Sequence, residues 1–254
     1  MKLIFLYAFV PICLTILSYP QEMFNISKGS AVIGIARNDT IWIGADSKIT
    51  DTGILGSATS RCKIIRSGNI IFAHHGVIKD YFTNVDIDTI IVHSIEGGTD
   101  VRSIIEYFNQ AMIFTLQYIS TLEVIGKKYS IGDTLNNYHT GFLIAAVERE
   151  QPILYSLEYD TKVNDTVPRQ SFLTKTELIQ QHYNAEIGKI RYFAQGVGNI
   201  DEEIRAYQNR NIPSVIVELI ERAIQKFPDH LGGPISIIQI TKDDIKWIQK
   251  GLCE

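Results

Sequence analysis

The strongest constraint on the fold is an apolar hairpin near the N-terminus, AVIGIARNDTIWIGAD, in residues 31–46. Its two strands, about residues 31–37 and 40–45, are separated by Asn38 and Asp39, which are residue types that favour tight hairpin turns. Both faces of these strands are apolar, and such strands have to be covered on both sides. The hairpin therefore predicts a central sheet that is buried on both faces.

The rest of the chain alternates hairpins with helical patterns. Further strands are predicted in CKIIRSGNIIFAHHG, GFLIAAVEREQPILYSLEYD, IRYFAQG, PISIIQITKD and IKWIQKG, and a polar surface excursion in DTKVNDTVPRQSFLTKTE. Helices are predicted at about 77–94, at about 100–120, from about Asp201 and from Pro213. Antiparallel strand pairs with helices inserted in pairs predict an α+β fold class, a four-layer αββα sandwich of two stacked antiparallel sheets between helix layers.

The N-terminal residues have the pattern of an export signal. One Lys precedes an uncharged apolar run, Leu3–Ser18, which polar residues follow. The run is shorter than the roughly 20 residues that a membrane-spanning helix needs. We therefore predict a signal peptide over residues 1–19 and a secreted, secretory or periplasmic location. The alternatives are an uncleaved segment that anchors the protein in a membrane and a terminal segment buried in the fold.

Charge and cysteine usage narrow the function classes. The formal net charge is −4 without a basic cluster, so no nucleic acid is predicted as a partner. If Cys13 leaves with the signal peptide, Cys62 and Cys253 remain, and one bridge or two free thiols are both open. His74 and His75 are neighbours on a strand and face opposite ways, so no metal is predicted. No cofactor is predicted either.

The motifs GSAVIGIARNDTIWIGADSKIT, CKII, IIFAHHG, FAQGVGN and PDHLGG, in this order, make the chain similar to a known family. It resembles the proteasome β-subunits, which are N-terminal-nucleophile hydrolases, from Gly29 to about Trp247. The resemblance implies that the αββα sandwich is of the N-terminal-nucleophile type. It also implies one domain over residues 30–254, behind a short propeptide at residues 20–29.

The resemblance also implies a catalytic site. Family members are cut after a glycine, here Gly29, to expose a nucleophile that is usually Thr and is Ser30 in this chain. Asp46 and Lys63 match the family's charged pair, and Gly76 matches a glycine whose N–H forms part of the oxyanion hole. An α-amine has a pKa of about 7.7 to 8.0, which suits a general base near neutral pH. The positive charge of Lys63 would lower the proton affinity of that amine, and Asp46 would keep Lys63 charged.

Hairpin register supports part of this site. If Asn38 and Asp39 form a two-residue turn, paired residue numbers sum to 77, and Asp46 lies opposite Ala31, beside Ser30. Asp229 in PDHLGG matches a further catalytic Asp. The family's usual hydroxyl residues are missing, because Val197 and Gly232 occupy their positions.

Each site residue also has a structural interpretation. Ser30 can begin a strand in an unprocessed chain, and Asp46 with Lys63 can be a structural ion pair. Gly76 can serve a backbone conformation with positive φ, and Asp229 can close a turn.

The sequence predicts an exported N-terminal-nucleophile hydrolase that cleaves amide bonds, chiefly peptide bonds. A second enzymatic hypothesis is an amidase that acts on small molecules. The alternative from another class is a proteasome-like structural or binding subunit with an impaired site. The predicted partner is a peptide or other amide substrate, and the resemblance adds homo-oligomerisation. No ATPase partner is expected if the protein is exported.

Overall fold

The computed structural model describes residues 26–28, 30–51, 58–76, 79–80, 85–128, 138–163, 174–184, 190–195 and 209–253. The strands are β1 (Ile26–Lys28), β2 (Val32–Arg37), β3 (Thr40–Ala45), β4 (Lys48–Asp51), β5 (Ala58–Ser60), β6 (Ile64–Ser67), β7 (Ile70–His75), β8 (Lys79–Asp80), β9 (Val85–Asp86), β10 (Tyr138–Glu148), β11 (Gln151–Val163), β12 (Thr174–Asn184), β13 (Ile190–Gln195), β14 (Ser236–Thr241) and β15 (Ile245–Gln249). The helices are α1 (Ile87–Gly97), α2 (Val101–Lys128) and α3 (Ile212–Lys226).

These strands form three antiparallel sheets. Sheet I has the order β13-β2-β3-β14-β15, and sheet II has the order β12-β11-β10-β7-β6. Sheet III, with the order β5-β4-β1-β8-β9, has strands of only two to four residues. Sheets I and II therefore carry most of the strand structure.

The hairpin of β2 and β3 has the predicted turn and register. Asn38 and Asp39 have φ values of 50° and 56°, which fits a turn that needs positive φ at both central residues. Val32 pairs with Ala45, and the sum of 77 holds along the hairpin. The predicted position of Asp46 opposite Ala31 is confirmed, because the Asp46 N–H donates to the Ala31 carbonyl at 3.1 Å.

Sheets I and II pack face to face. Their shared core contains Val32, Ile43 and Ile238 from sheet I and Ile71 and Leu143 from sheet II. Burying these side chains on both sides explains why the strands are apolar on both faces. The hairpin thus lies at the centre of the molecule, where it can hold a site rigidly.

The described helices pack unevenly on the two sheets, with α1 and α2 on sheet II and α3 on sheet I. On sheet II, Phe108 of α2 makes edge contacts with Phe72 and Phe142, with ring centroids 5.3 and 4.7 Å apart. On sheet I, Ile216 and Ile220 of α3 belong to the core cluster that includes residues of β2. The amphipathic helices are therefore stabilised by tertiary packing.

The predicted fold class, a four-layer αββα sandwich of the N-terminal-nucleophile type, is wrong. The molecule is mostly β, with three antiparallel sheets where the sequence predicted two. In the described residues there are three helices, where two pairs were predicted. The physical reason is that segments predicted as helix or loop satisfy their backbone groups by strand pairing instead.

Two such segments account for much of the extra strand structure. The helix predicted at 77–94 begins only at Ile87, because the side chain of Asp86 accepts the Asp88 N–H as an N-cap and the preceding chain pairs in sheet III. The end of the predicted polar excursion belongs to β12, which pairs along its whole length with β11.

Other predicted segments lie outside the described residues. They include the signal peptide at residues 1–19, most of the propeptide at residues 20–29, and the start of the helix predicted from Asp201. Among the helices that are described, none is long and apolar enough to cross a membrane.

Candidate functional site

Ser30 lies at the junction between sheet III and sheet I. It follows β1 of sheet III by two residues and precedes β2 of sheet I by two residues. Its exposed fraction is 4%. Gly29, the other half of the predicted cleavage bond, lies outside the described residues. The predicted nucleophile is therefore a buried residue directly before the central hairpin.

Asp46 is the centre of a buried polar group beside Ser30. Its Oδ1 accepts the Ala31 N–H at 2.7 Å and the Lys63 ammonium at 2.7 Å. Its Oδ2 accepts the Gly232 N–H at 3.0 Å and the Lys48 N–H at 3.3 Å. These four donors fix the orientation of the carboxylate and compensate for its burial.

Lys63 is the positive partner in this group. The side chains of both Lys63 and Asp46 are inaccessible to solvent. Burial lowers the pKa of Lys63 from 10.5 to about 8, against the opposing charge and hydrogen bond of Asp46. Lys63 is thus positively charged at neutral pH and becomes neutral under mildly alkaline conditions.

Backbone hydrogen bonds fix the segment that contains Lys63. The Lys63 carbonyl accepts the His74 N–H of β7 at 3.3 Å. Two residues earlier, the Arg61 N–H donates to the Ser47 carbonyl at 2.9 Å. The segment before β6 is therefore held both by its own sheet and by the chain that follows Asp46.

Gly76 follows the last residue of β7. Its φ of 89° lies in the region that favours glycine, which is the backbone role that its structural interpretation requires. The preceding carbonyl, that of His75, accepts the Thr140 hydroxyl at 2.6 Å, which fixes this end of the strand. The oxyanion role of the Gly76 N–H stays a prediction.

Asp229 is exposed, in the turn after α3. The same turn is tied to the site through Lys48, whose ammonium donates to the Pro228 carbonyl at 2.6 Å. The structure therefore places Ser30, Asp46 and Lys63 together, and Asp229 at the periphery.

Sequence reasoning missed the part that the Gly232 and Gly233 backbone plays. Gly232 donates to Asp46, and its carbonyl accepts the N–H groups of Ser47 at 3.1 Å and Lys48 at 2.9 Å. Gly233 has a φ of 74°, and a Cβ there would lie 2.4 Å from Ser47 Oγ. The signal in the sequence was the Gly-Gly pair itself, which marks a close backbone approach. Val197 lies outside the described residues.

A second group of ionisable residues, Arg61, His74 and Asp88, lies next to Lys63. His74 is fully buried, and its Nε2 lies 3.4 Å from Asp88 Oδ1. Arg61 Nη2 lies 3.0 Å from Asp88 Oδ2. Burial lowers the pKa of His74 and keeps its ring neutral at pH 7. Burial alone would raise the pKa of Asp88. The contact with His74 and the charge of Arg61 outweigh that effect, so the pKa lies below its ordinary value and Asp88 is ionised.

Comparisons with known proteins add no assignment to this site. No family model matches the chain, and no curated protein matches it either. Within the part of the chain that the structure describes, no group of three or more His, Cys, Asp or Glu side chains could hold a metal ion. The chemistry proposed for the site therefore rests on its own residues.

Proposed function

We propose that this protein is an exported amide hydrolase, acting chiefly on peptide bonds, in which cleavage after Gly29 makes Ser30 an N-terminal nucleophile. The observation that carries the proposal is the buried pair of Lys63 and Asp46 beside Ser30. Asp46 Oδ1 accepts both the Lys63 ammonium and the N–H of Ala31, the residue after Ser30. A strongly lowered lysine pKa in such a group is typical of functional sites.

The energetic cost of burying two charges favours a functional role over a packing role. Removing two charges from water has an energetic penalty that well-packed apolar residues of similar volume avoid. Here the charges link the end of β3 in sheet I to the start of β6 in sheet II, next to a buried serine. A site that lowers the proton affinity of a nearby amine would use that positive charge directly.

The proposed reaction is a two-step acyl transfer. The neutral α-amine of Ser30 accepts the hydroxyl proton as Oγ attacks the substrate carbonyl carbon. The resulting oxyanion would receive the Gly76 N–H, a contact worth about 2.7 to 4 kcal/mol at other oxyanion sites. Breaking the C–N bond transfers the amine's proton to the leaving nitrogen. Water then hydrolyses the Ser30 ester, releases the acid and restores the hydroxyl.

A non-catalytic subunit is the second candidate function. It is favoured by Gly232, which contributes only its backbone where the family resemblance implies a hydroxyl side chain. It is also favoured by β1, which pairs with β4 and β8 directly before the bond to be cut. If that bond stays intact, Ser30 has no α-amine and the proposed chemistry cannot operate.

Replacement of Ser30 separates the two candidates. Ser30→Ala should abolish cleavage at residue 29 and reduce peptide hydrolysis by at least about a thousandfold. Ser30→Thr should keep both, because threonine supplies the same hydroxyl and amine. The matched control is Ser214→Ala, which removes an exposed serine in the first turn of α3. Unchanged hydrolysis in Ser30→Ala would exclude Ser30 as the nucleophile.

A further inference from the structure

A disulfide joins the segment of Lys63 to the C-terminal tail. It links Cys62 and Cys253, whose Cα atoms lie 4.8 Å apart across 191 residues of sequence. Cys62 directly precedes Lys63 and leads into β6, the edge strand of sheet II. Cys253 follows β15, the edge strand of sheet I. The bridge therefore connects the two stacked sheets at their edges.

The Asp46–Lys63 ion pair connects the same two sheets. Asp46 follows β3 of sheet I, and Lys63 precedes β6 of sheet II. The disulfide and the ion pair are thus two cross-links that leave sheet II from adjacent residues. Any movement of Cys62 relative to sheet I would also displace the Lys63 backbone.

Hydrogen bonds hold the Cys253 end of the bridge against β14, the strand that pairs with β3 just before Asp46. The Cys253 N–H donates to the Lys250 carbonyl at 2.8 Å, and the Ser236 hydroxyl donates to the same carbonyl at 2.7 Å. Ser236 Oγ also lies 3.1 Å from Cys253 Sγ. In β14, Ser236 pairs with Ala45, which immediately precedes Asp46. The bridge therefore runs from the residue beside Lys63 to the neighbourhood of Asp46.

The need for such a cross-link follows from the position of Lys63. It precedes a four-residue strand at the edge of its sheet, and strand ends with few partners open at low free-energy cost. A buried ammonium that loses contact with its carboxylate is strongly unfavourable, so the segment would move toward water. A covalent link beside Lys63 opposes that movement.

We propose that the Cys62–Cys253 disulfide is a positioning element that holds Lys63 against Asp46, so that the Ser30 site is complete only in the oxidised protein. Its catalytic consequence rests on the proposed hydrolase function, whereas its effect on Lys63 does not. Reduction by a dithiol transfers two electrons and two protons, which breaks the S–S bond and leaves two thiols while the dithiol becomes a disulfide. Such a bridge persists in secretory compartments.

The direct test is the pKa of Lys63 with and without the bridge. NMR titration of isotope-labelled lysine side chains, with the Lys63 signal assigned by Lys63→Arg, should give about 8 in the oxidised protein. In Cys62→Ala/Cys253→Ala, and in wild type reduced by dithiothreitol, hydration of Lys63 should raise that value by about one unit or more toward 10.5. Leu252→Ser is the matched control, because it changes the exposed neighbour of Cys253 and keeps the bridge.

Near-UV circular dichroism identifies the samples that remain folded. If the double variant does not fold, wild type that is folded first and then reduced provides the folded sample without the bridge. An unchanged Lys63 pKa in a folded protein without the bridge would overturn the proposal.

Kinetics separate this inference from the proposed function. The protein without the bridge should lose about ten- to a hundredfold in peptide hydrolysis, because misplacing a catalytic group by about 1 Å has an effect of that size. Dithiothreitol should not change the double variant, which controls for other effects of the reductant. If wild type hydrolyses no peptide, the proposed function fails, and the titration still decides the positioning role. If wild type is active and loss of the bridge changes neither rate nor pKa, the positioning role alone fails.

Discussion

The two stacked sheets and sheet III are built on different scales. In sheet II, β10 and β11 contain 11 and 13 residues, and their side chains form cores on both faces. In sheet III the strands contain two to four residues. Long strands are held by apolar burial, whereas short ones depend on a few backbone hydrogen bonds. Ser30 lies between these regions, with the long strands of sheet I on one side and the short strands of sheet III on the other. The proposed cleavage after Gly29 would change only the sheet III side.

The largest expected effect comes from breaking the buried ion pair on the sheet I side. Lys63→Met leaves Asp46 without its ammonium partner and should lower the free energy of unfolding by about 3–5 kcal/mol. Asp46→Asn/Lys63→Met should recover part of that loss, because no buried charge remains. Chemical denaturation measures both. A loss below about 1 kcal/mol in Lys63→Met would mean that water already reaches the pair.

Removing β1 tests the other side of the comparison. A chain that begins at Ser30 loses two pairings with β4 and two with β8, and should lose about 2–4 kcal/mol at about 1 kcal/mol for each hydrogen bond. Hydrogen exchange should show faster exchange in β4 and β8 and unchanged protection in β10 and β11. The control chain begins at Ile26 and carries Ser30→Ala, so that it is not cut after Gly29 and β1 stays attached. General loss of protection in sheet II would show that the two regions are not independent.

The lowered pKa of Lys63 predicts a pH dependence on the sheet I side. Below pH 8 the residue is protonated in both states, and between about pH 8 and 10.5 only the unfolded state keeps the proton. The unfolded state then binds more protons, so stability should rise with pH in that window, by up to about 3 kcal/mol. The measurement compares wild type with Lys63→Met between pH 7 and about pH 9.5, below the titration of unfolded tyrosine. If stability changed equally with pH in wild type and in Lys63→Met, the lowered pKa of Lys63 would be contradicted.

Two glycines with positive φ, Gly233 at the site and Gly68 in a turn of sheet II, test how closely the backbone approaches Ser47. Gly233→Ala should lower the free energy of unfolding by about 1–3 kcal/mol, because positive φ strains the new residue and its Cβ would lie 2.4 Å from Ser47 Oγ. Gly68→Ala is the control, with a φ of 57° and no atom within 4 Å of the new Cβ. The difference between the two measures the close approach at the site. Equal losses would show that Ser47 moves aside freely.

The smallest effect is expected at a surface ion pair. Arg222 and Glu218 lie one turn apart on α3, and their side chains are 46% and 31% exposed. Arg222→Ala should change stability by at most about 0.5 kcal/mol, because solvent screens the pair. Thermal unfolding can be compared directly with Lys63→Met. A loss of unfolding free energy near that of Lys63→Met would contradict the claim that burial makes the Asp46–Lys63 pair the stronger one.

Those parts of the site that depend on regular geometry could be predicted from the sequence. The two-residue turn at Asn38 and Asp39 fixed the register, and the register placed Asp46 opposite Ala31. The positions of the turns after α3 and the backbone contacts of Gly232 follow from tertiary packing, which leaves no periodic signal. Lys63 was named through the resemblance, and its distance to Asp46 required the fold.

The errors in the predicted fold also arise where the sequence has no periodic signal. Strands of two residues, such as β8 and β9, are too short for an alternating pattern, so sheet III was not predicted. The predicted loop at residues 160–177 includes the first four residues of β12, Thr174, Lys175, Thr176 and Glu177, which are all polar. β12 lies at the edge of sheet II, where apolar alternation is not needed. Composition therefore indicated a loop where the neighbouring strand supplies the hydrogen bonds.

The most direct test of the central claim is the N-terminus of the mature protein. Intact mass and N-terminal sequencing of protein purified from the secretory route should give a chain that begins at Ser30, and a serine-reactive probe should label that residue. The Ser30→Ala variant should keep the predicted propeptide, residues 20–29, and remain unlabelled. A folded wild-type chain that begins upstream of Gly29, with no label on Ser30, would contradict the account.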